Sequence, residues 1–391
     1  MRIIIDVRLL SKGGSSGIEE YTRNLVSSIV EHDTENEYTL FYNGWRKVPI
    51  TCQLDGRPID KCRVVSKSIP NKLFDATSRF LNWPKVEDLA RFDPGVKAAT
   101  TPGSTAVFSP HFNILSTNLP HIITFHDLSF LHHPDFFSRK QRVWHWLQNY
   151  KKTAAQAARI IAISEFTKHD LVNLLGVPPE KTSVIYSGIH PSFRPLPPDS
   201  PELAEFKNKY KLTAPFVLYL GTLEPRKNVP ALIRAFDILK QNPAHRDLEL
   251  VLAGPVGWLA DEVFREARQA RARAQIRFLG HLKAEDRVLL YNASSVFAFP
   301  SFFEGFGFPP LEAQACGVPV VASNRTSLPE ILGTSAKLIN PWRVGDIAGA
   351  LEELLTPGAE RERAIQEGIK NASRFTWAEA AKKTIEVYNK I

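Results

Sequence analysis

The sequence predicts an α/β protein of two doubly wound, Rossmann-like domains, and three observations carry that expectation. Apolar runs of strand length alternate with amphipathic helical stretches in both halves, the pattern of a parallel sheet covered by helices on both faces. The 391 residues exceed what one hydrophobic core usually organises. A proline-rich stretch between Pro191 and Pro201 breaks helix and ladder alike, and strand, loop and helix begin afresh beyond it. The expected organisation is a first domain over 1–195, a linker over 196–212, a second domain over 213–375 and a final crossing helix over 376–391.

In the first half, Ile3–Leu9 reads as a buried strand, Glu19–Glu31 as a helix, Tyr38–Tyr42 and His121–Phe125 as strands, and Arg139–Ala158 as a helix. Ile160–Ile163 and Ser183–Ile185 close that sheet, while the irregular pattern from Pro70 to Pro110 predicts no element. The second half reads as strand Phe216–Leu220, helix Val229–Lys240, strand Leu248–Ala253, helix Leu259–Ala272 and strand Ile276–Phe278. Strand Val296–Phe299, helix Pro310–Ala315 and strand Val318–Ala322 complete its core. The last helix, Trp377–Lys390, has no strand to follow it and is expected to return to the first domain.

Composition excludes several classes. No apolar run approaches the ~18 to 20 residues that cross a bilayer, and the opening segment Arg2–Arg8 carries Asp6 and lacks a cleavage-site pattern. A cytoplasmic protein is expected. Cys52, Cys62 and Cys316 are too few and wrongly spaced for a zinc site or a disulfide framework and read as reduced. Of the net charge of +8, residues 1–195 hold 24 Lys and Arg against 18 Asp and Glu, so the first half is the basic one. That surplus suits an anionic acceptor or an anionic membrane surface, or is simply a solvated face; no cationic run with interleaved aromatics points to nucleic acid.

The most informative segment runs from Ser301 to Gly317 and contains Glu304-Gly-Phe-Gly-Phe-Pro-Pro-Leu-Glu312. Gly305 and Gly307 let backbone amides approach a ligand, and Pro309 and Pro310 begin a helix whose positive end faces the same place, which suits an anionic group. Glu304 and Glu312 could accept from hydroxyls of a sugar and a ribose; alternatively Glu312 answers the helix dipole and Glu304 is a solvated loop acid. A second element, Gly221-Thr-Leu-Glu-Pro-Arg226-Lys227-Asn228, follows a buried strand and puts two cations beside a helix start, where they would neutralise a diphosphate leaving group. The loop Gly13-Gly14-Ser-Ser-Gly17 follows the first strand without the G-x-G-x-x-G spacing, and His126-Asp127 ends another strand. His132 and His133 stand near Asp127, but no carboxylate cluster backs them as a metal site.

Glu304 and Glu312, with seven residues between them in this context, resemble the paired-glutamate motif of the family-4 retaining glycosyltransferases, which have the GT-B fold. The resemblance covers nearly the whole chain, most closely from Phe216 to Pro341. It implies two Rossmann-like domains facing each other across a cleft, with Glu304 on the donor sugar, helped by the amides of Gly305, Phe306, Gly307 and Phe308, and Glu312 on the ribose. It implies donor contacts at Gly14, Gly17, Gly221, Gly254, Gly280 and His281, phosphate contacts at Arg226 and Lys227, His126 at the sugar and Asp127 toward the ring or the acceptor. Where many members have arginine after the glycine, this chain has Thr222, so Arg226 would supply that role. The motifs are most similar to those of bacterial mannosyltransferases of surface polysaccharide assembly.

The expected activity is therefore metal-independent, cofactor-free transfer of a hexose with retention, from GDP-mannose or alternatively a UDP-sugar, to an oligosaccharide or lipid-linked acceptor. Contact with the inner membrane face is compatible with the basic first half, and no nucleic-acid partner is expected. Two rivals stand beside this reading. A dinucleotide-dependent oxidoreductase would use both halves but lacks the glycine fingerprint, and a nucleotide-sugar-binding scaffold without catalysis is compatible with Thr222.

Overall fold

The computed structural model describes residues 1–12, 16–44, 53–54, 57–58, 61–91 and 105–391. The chain forms two units. One comprises Met1–His132, Arg139–Gly188 and Thr376–Ile391; the other comprises His133–Ser138 and Ile189–Phe375. The strands in chain order are β1 (Arg2–Asp6), β2 (Glu37–Asn43), the antiparallel pair β3 (Gln53–Leu54) and β4 (Arg57–Pro58), β5 (Cys62–Lys67), β6 (Thr105–Ser109), β7 (His121–Phe125), β8 (Arg159–Ala162) and β9 (Thr182–Val184) in the first unit. The second unit holds β10 (Phe216–Leu220), β11 (Glu249–Ala253), β12 (Ile276–Gly280), β13 (Val296–Phe299), β14 (Val320–Ser323) and β15 (Lys337–Ile339).

The first unit is a parallel sheet in the order β5-β2-β1-β6-β7-β8-β9, and the second is a parallel sheet in the order β12-β11-β10-β13-β14-β15. In each, the strand that comes first in sequence lies in the interior, and the order reverses beside it. Every residue of β7, β10 and β13 is buried, as expected of strands covered on both faces, and β10 and β13 are unbroken apolar runs. Helix Trp377–Tyr388 belongs to the first unit: it packs along helix Gly17–His32, with the Trp377 ring 5.8 Å from Tyr21 and the Tyr388 ring 5.8 Å from Phe108.

Several elements differ from expectation. The segment expected as a linker belongs to the second unit and carries helix Pro201–Tyr210; Pro201 stands at its first position, where a missing N–H costs nothing, so the proline starts a helix rather than ending one. The expected helix Arg139–Ala158 is two, Arg139–Leu147 and Tyr150–Gln156, divided where Asn149 turns left-handed (φ 52°) and the Gln148 carboxamide leaves to accept from Ile114 N at 2.8 Å. The stretch from Pro70 contains helices Asn71–Leu81 and Val86–Arg91 and then β6. Strand β1 stops at Asp6 and a 3-10 helix, Arg8–Lys12, replaces its expected end. Cys62 is disulfide-bonded, against the reading of three reduced thiols, whereas Cys316 is free and buried.

The chain leaves β1 through a buried ion pair. Arg8 grips Asp6 with two parallel hydrogen bonds, Nε to Oδ1 at 2.9 Å and NH2 to Oδ2 at 2.8 Å, and donates once more to Ile114 O at 3.0 Å. Burial raises the Asp6 carboxyl, but Arg8 and then His111, whose Nε2 lies 3.6 Å away, outweigh it and hold the group below the usual carboxylate range. Breaking such a pair leaves a guanidinium uncompensated in the interior. Asp6→Asn should lower the unfolding free energy by about 3 to 5 kcal/mol, whereas Glu37→Gln, which breaks the exposed pair with Arg2, should cost only about 0 to 1; urea unfolding of the two variants checks the contrast.

Candidate active site

In the second unit β10 lies between β11 and β13, and the loops that leave β10 and β13 diverge at the carboxyl edge of the sheet. Open α/β sheets bind ligands at such a reversal of strand order. The β10 loop carries the 3-10 helix Pro225–Lys227 and then Asn228, whose left-handed backbone (φ 54°) turns the chain into helix Val229–Leu239. Asn228 Nδ2 donates to Pro300 O at 3.2 Å and Pro341 O at 2.7 Å, which fastens this loop to the one after β13.

The fastening brings three predicted residues together. Lys227 Nζ donates to Glu304 Oε1 at 2.6 Å, and Arg226 NH1 donates to Glu304 Oε2 at 3.1 Å. Arg226 also grips Glu224 Oε1 through NH2 at 2.8 Å and Nε at 3.1 Å. Burial raises the Glu304 carboxyl, but Lys227 and Arg226 outweigh it and leave the group below its ordinary value. Burial and the adjacent Arg226 draw the Lys227 ammonium down, against the pull of Glu304. Lys227 is 8% exposed, and among the described residues its three N–H groups have one hydrogen-bond acceptor, Glu304.

Around this cluster the backbone is drawn close. Gly221 N donates to Ala253 O at 2.9 Å and Gly254 N to Gly280 O at 2.8 Å, so Gly221 and Gly254 extend the ladder past the ends of β10 and β11, while Gly280 ends β12 and exposed His281 follows. A Cβ at Gly254 (φ +127°) would stand 2.1 Å from Gly221 O, so no side chain fits there. Gly307 (φ +105°) caps helix Phe308–Ala315, and a Cβ there would meet Leu328 Cδ2 at 2.6 Å. Pro309 and Pro310 carry no N–H, so the amides at this helix start are those of Gly305, Phe306, Gly307, Phe308 and Leu311. The Phe306 ring packs 5.2 Å from Phe308 and 5.7 Å from Phe375, and its carbonyl accepts from Ser327 Oγ at 3.2 Å.

The structure does not join the two glutamates of the motif. Glu312 turns its carboxylate to the helix Ala284–Ala293, where Arg287 donates to Oε1 and the Tyr291 hydroxyl to Oε2 at 2.7 Å. The Glu312 side chain is 1% exposed. Sequence reasoning missed Glu224, which steadies Arg226, and also Thr326 and Ser327, whose hydroxyls clamp Glu304 from a third loop: Glu304 N donates to Thr326 Oγ1 at 2.9 Å and Ser327 Oγ donates to Glu304 O at 3.0 Å. No pattern marks those two hydroxyls. Arg287 and Tyr291, four apart on one helix, form a stripe that could have been read as a carboxylate partner.

In the first unit, Gly14 lies outside the described residues. Gly17 opens helix Gly17–His32, whose start is closed by a capping box: Glu19 N donates to Ser16 Oγ, and Ser16 N donates to Glu19 Oε2 at 2.9 Å. The His126 ring is buried, stands edge-on to Tyr21 at 4.7 Å and donates from Nε2 to Pro110 O at 2.8 Å. Burial lowers its pKa, so it is held neutral with the proton on Nε2 and a lone pair on Nδ1. Asp127 caps the short helix Ser129–His132, accepting from Ser129 N at 2.9 Å and Ser129 Oγ at 2.6 Å. His132 pairs with Asp170 at 2.9 Å, and among the described residues no three His, Cys, Asp or Glu side chains gather as a metal site.

The pKa shift of Glu304 fixes the sign of a pH effect. A carboxyl depressed in the folded state stabilises fully above its unfolded value of about 4.3 and loses that contribution as pH falls through the native value. Glu304→Gln should therefore flatten the acid limb of the stability profile and, by leaving Lys227 under-compensated, cost about 3 kcal/mol at neutral pH. Urea midpoints between neutral and acid pH read both effects.

Comparison with known proteins agrees with this geometry. Residues 15–193 match the model of Glycosyltransferase Family 4, and residues 202–371 match that of the group 1 glycosyl transferases. O-antigen chain mannosyltransferase B of Escherichia coli is 33% identical over 276 residues, which are 69% of this chain and 71% of that protein. Sucrose-phosphate synthase of Thermosynechococcus elongatus superposes with a TM-score of 0.74 at 19% identity, over 100% of this chain and 98% of that one. HepE of Anabaena, solved with UDP and glucose, superposes with a TM-score of 0.72 at 19% identity, over 100% of this chain and 99% of that one. With both domain models matched in succession, the glutamate and cation motifs meeting at one sheet edge, and a relative aligned over most of its length, the chain belongs to the family-4 glycosyltransferases of the GT-B fold.

Proposed function

We propose that the protein is a retaining, metal-independent hexosyltransferase that moves mannose from GDP-mannose onto a hydroxyl of an oligosaccharide or lipid-linked acceptor. The observation that carries this reading is the Lys227 ammonium, buried beside Glu304 with N–H groups to spare at the switch point of a nucleotide-binding type of sheet. A sugar diphosphate complements that arrangement. Its hydroxyls donate to the remaining lone pairs of Glu304, and its phosphate oxygens accept from Lys227, Arg226 and the amides before helix Phe308–Ala315.

The transfer step follows from where charge develops. The acceptor oxygen bonds to the anomeric carbon on the face that the diphosphate leaves, the bond from that carbon to the phosphate oxygen breaks, and the departing oxygen takes the acceptor proton. Configuration is retained without a protein nucleophile. Lys227 and Arg226 stabilise the leaving negative charge, which is the work a divalent cation would otherwise do. His126 and Asp127 remain the groups assigned to the sugar and the acceptor, and Gly221, Gly254, Gly280 and His281 line the nucleotide side.

Mannose is favoured because the Escherichia coli relative, 33% identical, is a mannosyltransferase by name; UDP-sugars stand second because HepE of the same fold was solved with UDP. Isothermal titration with GDP and UDP in the presence of a chelator should show tighter binding of GDP. Lys227→Ala and Glu304→Ala should each lower release of GDP from GDP-mannose by about 10² to 10³, and NMR coupling constants of the product should show the donor's anomeric configuration. Undiminished turnover in both variants would refute the reading, and GDP binding without any turnover would leave a scaffold instead of an enzyme.

A further inference from the structure

The first unit leaves an apolar face in water. Leu73 and Phe80 lie two turns apart on one side of helix Asn71–Leu81; they and Leu81 and Trp83 at its end are each more than half exposed. Val143 and Trp146 on helix Arg139–Leu147 are exposed to the same degree. The Phe80 and Trp146 rings are 6.5 Å apart and the Arg79 guanidinium lies 4.9 Å over the Trp146 ring, so the two helices present one surface. Folded chains seldom leave so many large apolar side chains together unless something covers them.

The charge around the face says what covers it. Between residues 139 and 152 stand Arg139, Lys140, Arg142, Lys151 and Lys152 with no Asp or Glu, and all five are exposed. Helical spacing puts Arg139 and Arg142 on the same side as Val143 and Trp146. Aromatic and aliphatic side chains rimmed by cations match the boundary between acyl chains and anionic headgroups, whereas protein interfaces are depleted in lysine. Among the described residues no helix is long and apolar enough to cross a membrane, so the contact is a peripheral one.

We propose that the face formed by helices Asn71–Leu81 and Arg139–Leu147 docks the protein on an anionic lipid surface. This deepens the reading of a lipid-linked acceptor by naming the part of the chain that meets the bilayer. The test is co-sedimentation of the full chain with phosphatidylcholine vesicles with and without phosphatidylglycerol, at low and high salt. Binding should require the anionic lipid and weaken with salt, and it should fall about 10-fold or more in Phe80→Ser/Trp146→Ser and in Arg139→Gln/Arg142→Gln. GDP release from GDP-mannose should be unchanged in both variants. The charge variant removes no packed atom and serves if the apolar one fails to fold.

No binding, or binding that both variants retain, overturns the surface. So does a concentration-dependent self-association, seen by analytical ultracentrifugation, that Phe80→Ser/Trp146→Ser abolishes, since the face then meets a second copy. Absence of vesicle binding by the unaltered chain with its GDP release intact counts against the docking surface alone, while absence of GDP release in the unaltered chain counts against the transferase reading.

Discussion

A lysine that is 8% exposed cannot remain charged without a carboxylate at hand, and the second unit is arranged around meeting that requirement for Lys227. Lys227 ends the loop after β10 and Glu304 lies in the loop after β13, so their pairing requires those strands to be neighbours. The reversal of strand order makes them neighbours. Asn228 then fastens the two loops through Pro300 and ties them to Pro341 beyond β15, and Thr326 and Ser327 hold Glu304 from the loop after β14. Glu304 is thereby fixed from three loops, which is the support a site needs if its geometry is to survive without ligand.

The cluster is balanced: Arg226 and Lys227 face Glu224 and Glu304. A buried excess of either charge would cost several kcal/mol, and balance removes most of that cost in the empty protein. It also sets the character of ligand binding. A diphosphate alone would leave the site with too much negative charge, whereas one that carries a hexose brings donor hydroxyls to Glu304 at the same time. On the proposed function, sugar and phosphate would be read by one network, and a nucleotide without its sugar would leave the carboxylate holding the cations.

Much of this was legible in residues whose chemistry is local. Unbroken apolar runs located β10 and β13 because strands buried on both faces need nothing else. Gly307 before two prolines located a helix start because few sequences can make that turn. What failed was what depends on distant partners. Helix Asn71–Leu81 escaped notice because several of its apolar positions face outward, so its pattern does not report a core. Pro201 read as a breaker because composition does not say whether a proline stands at the first position of a helix or inside it. The hydrogen bonds that Arg287 and Tyr291 give Glu312 were also out of reach, since no spacing within the motif encodes a partner on another helix.

The first unit puts the same topology to a different use. It has the same reversal beside its first strand, and there too a buried ion pair marks the point, Asp6 with Arg8. Yet Arg8 gives its donors to Asp6 and Ile114 O, stands 3.8 Å from Asp75 and lies under the Phe74 ring, while burial takes the His111 pKa down to about 4 and keeps that ring neutral. That pair is closed, and its use is to hold the sheet edge together. Lys227 differs in having more donors than acceptors beside a helix start rich in amides. The reversal of strand order thus holds a two-pronged ion pair in one unit, and in the other a lysine with more donors than acceptors beside a helix start.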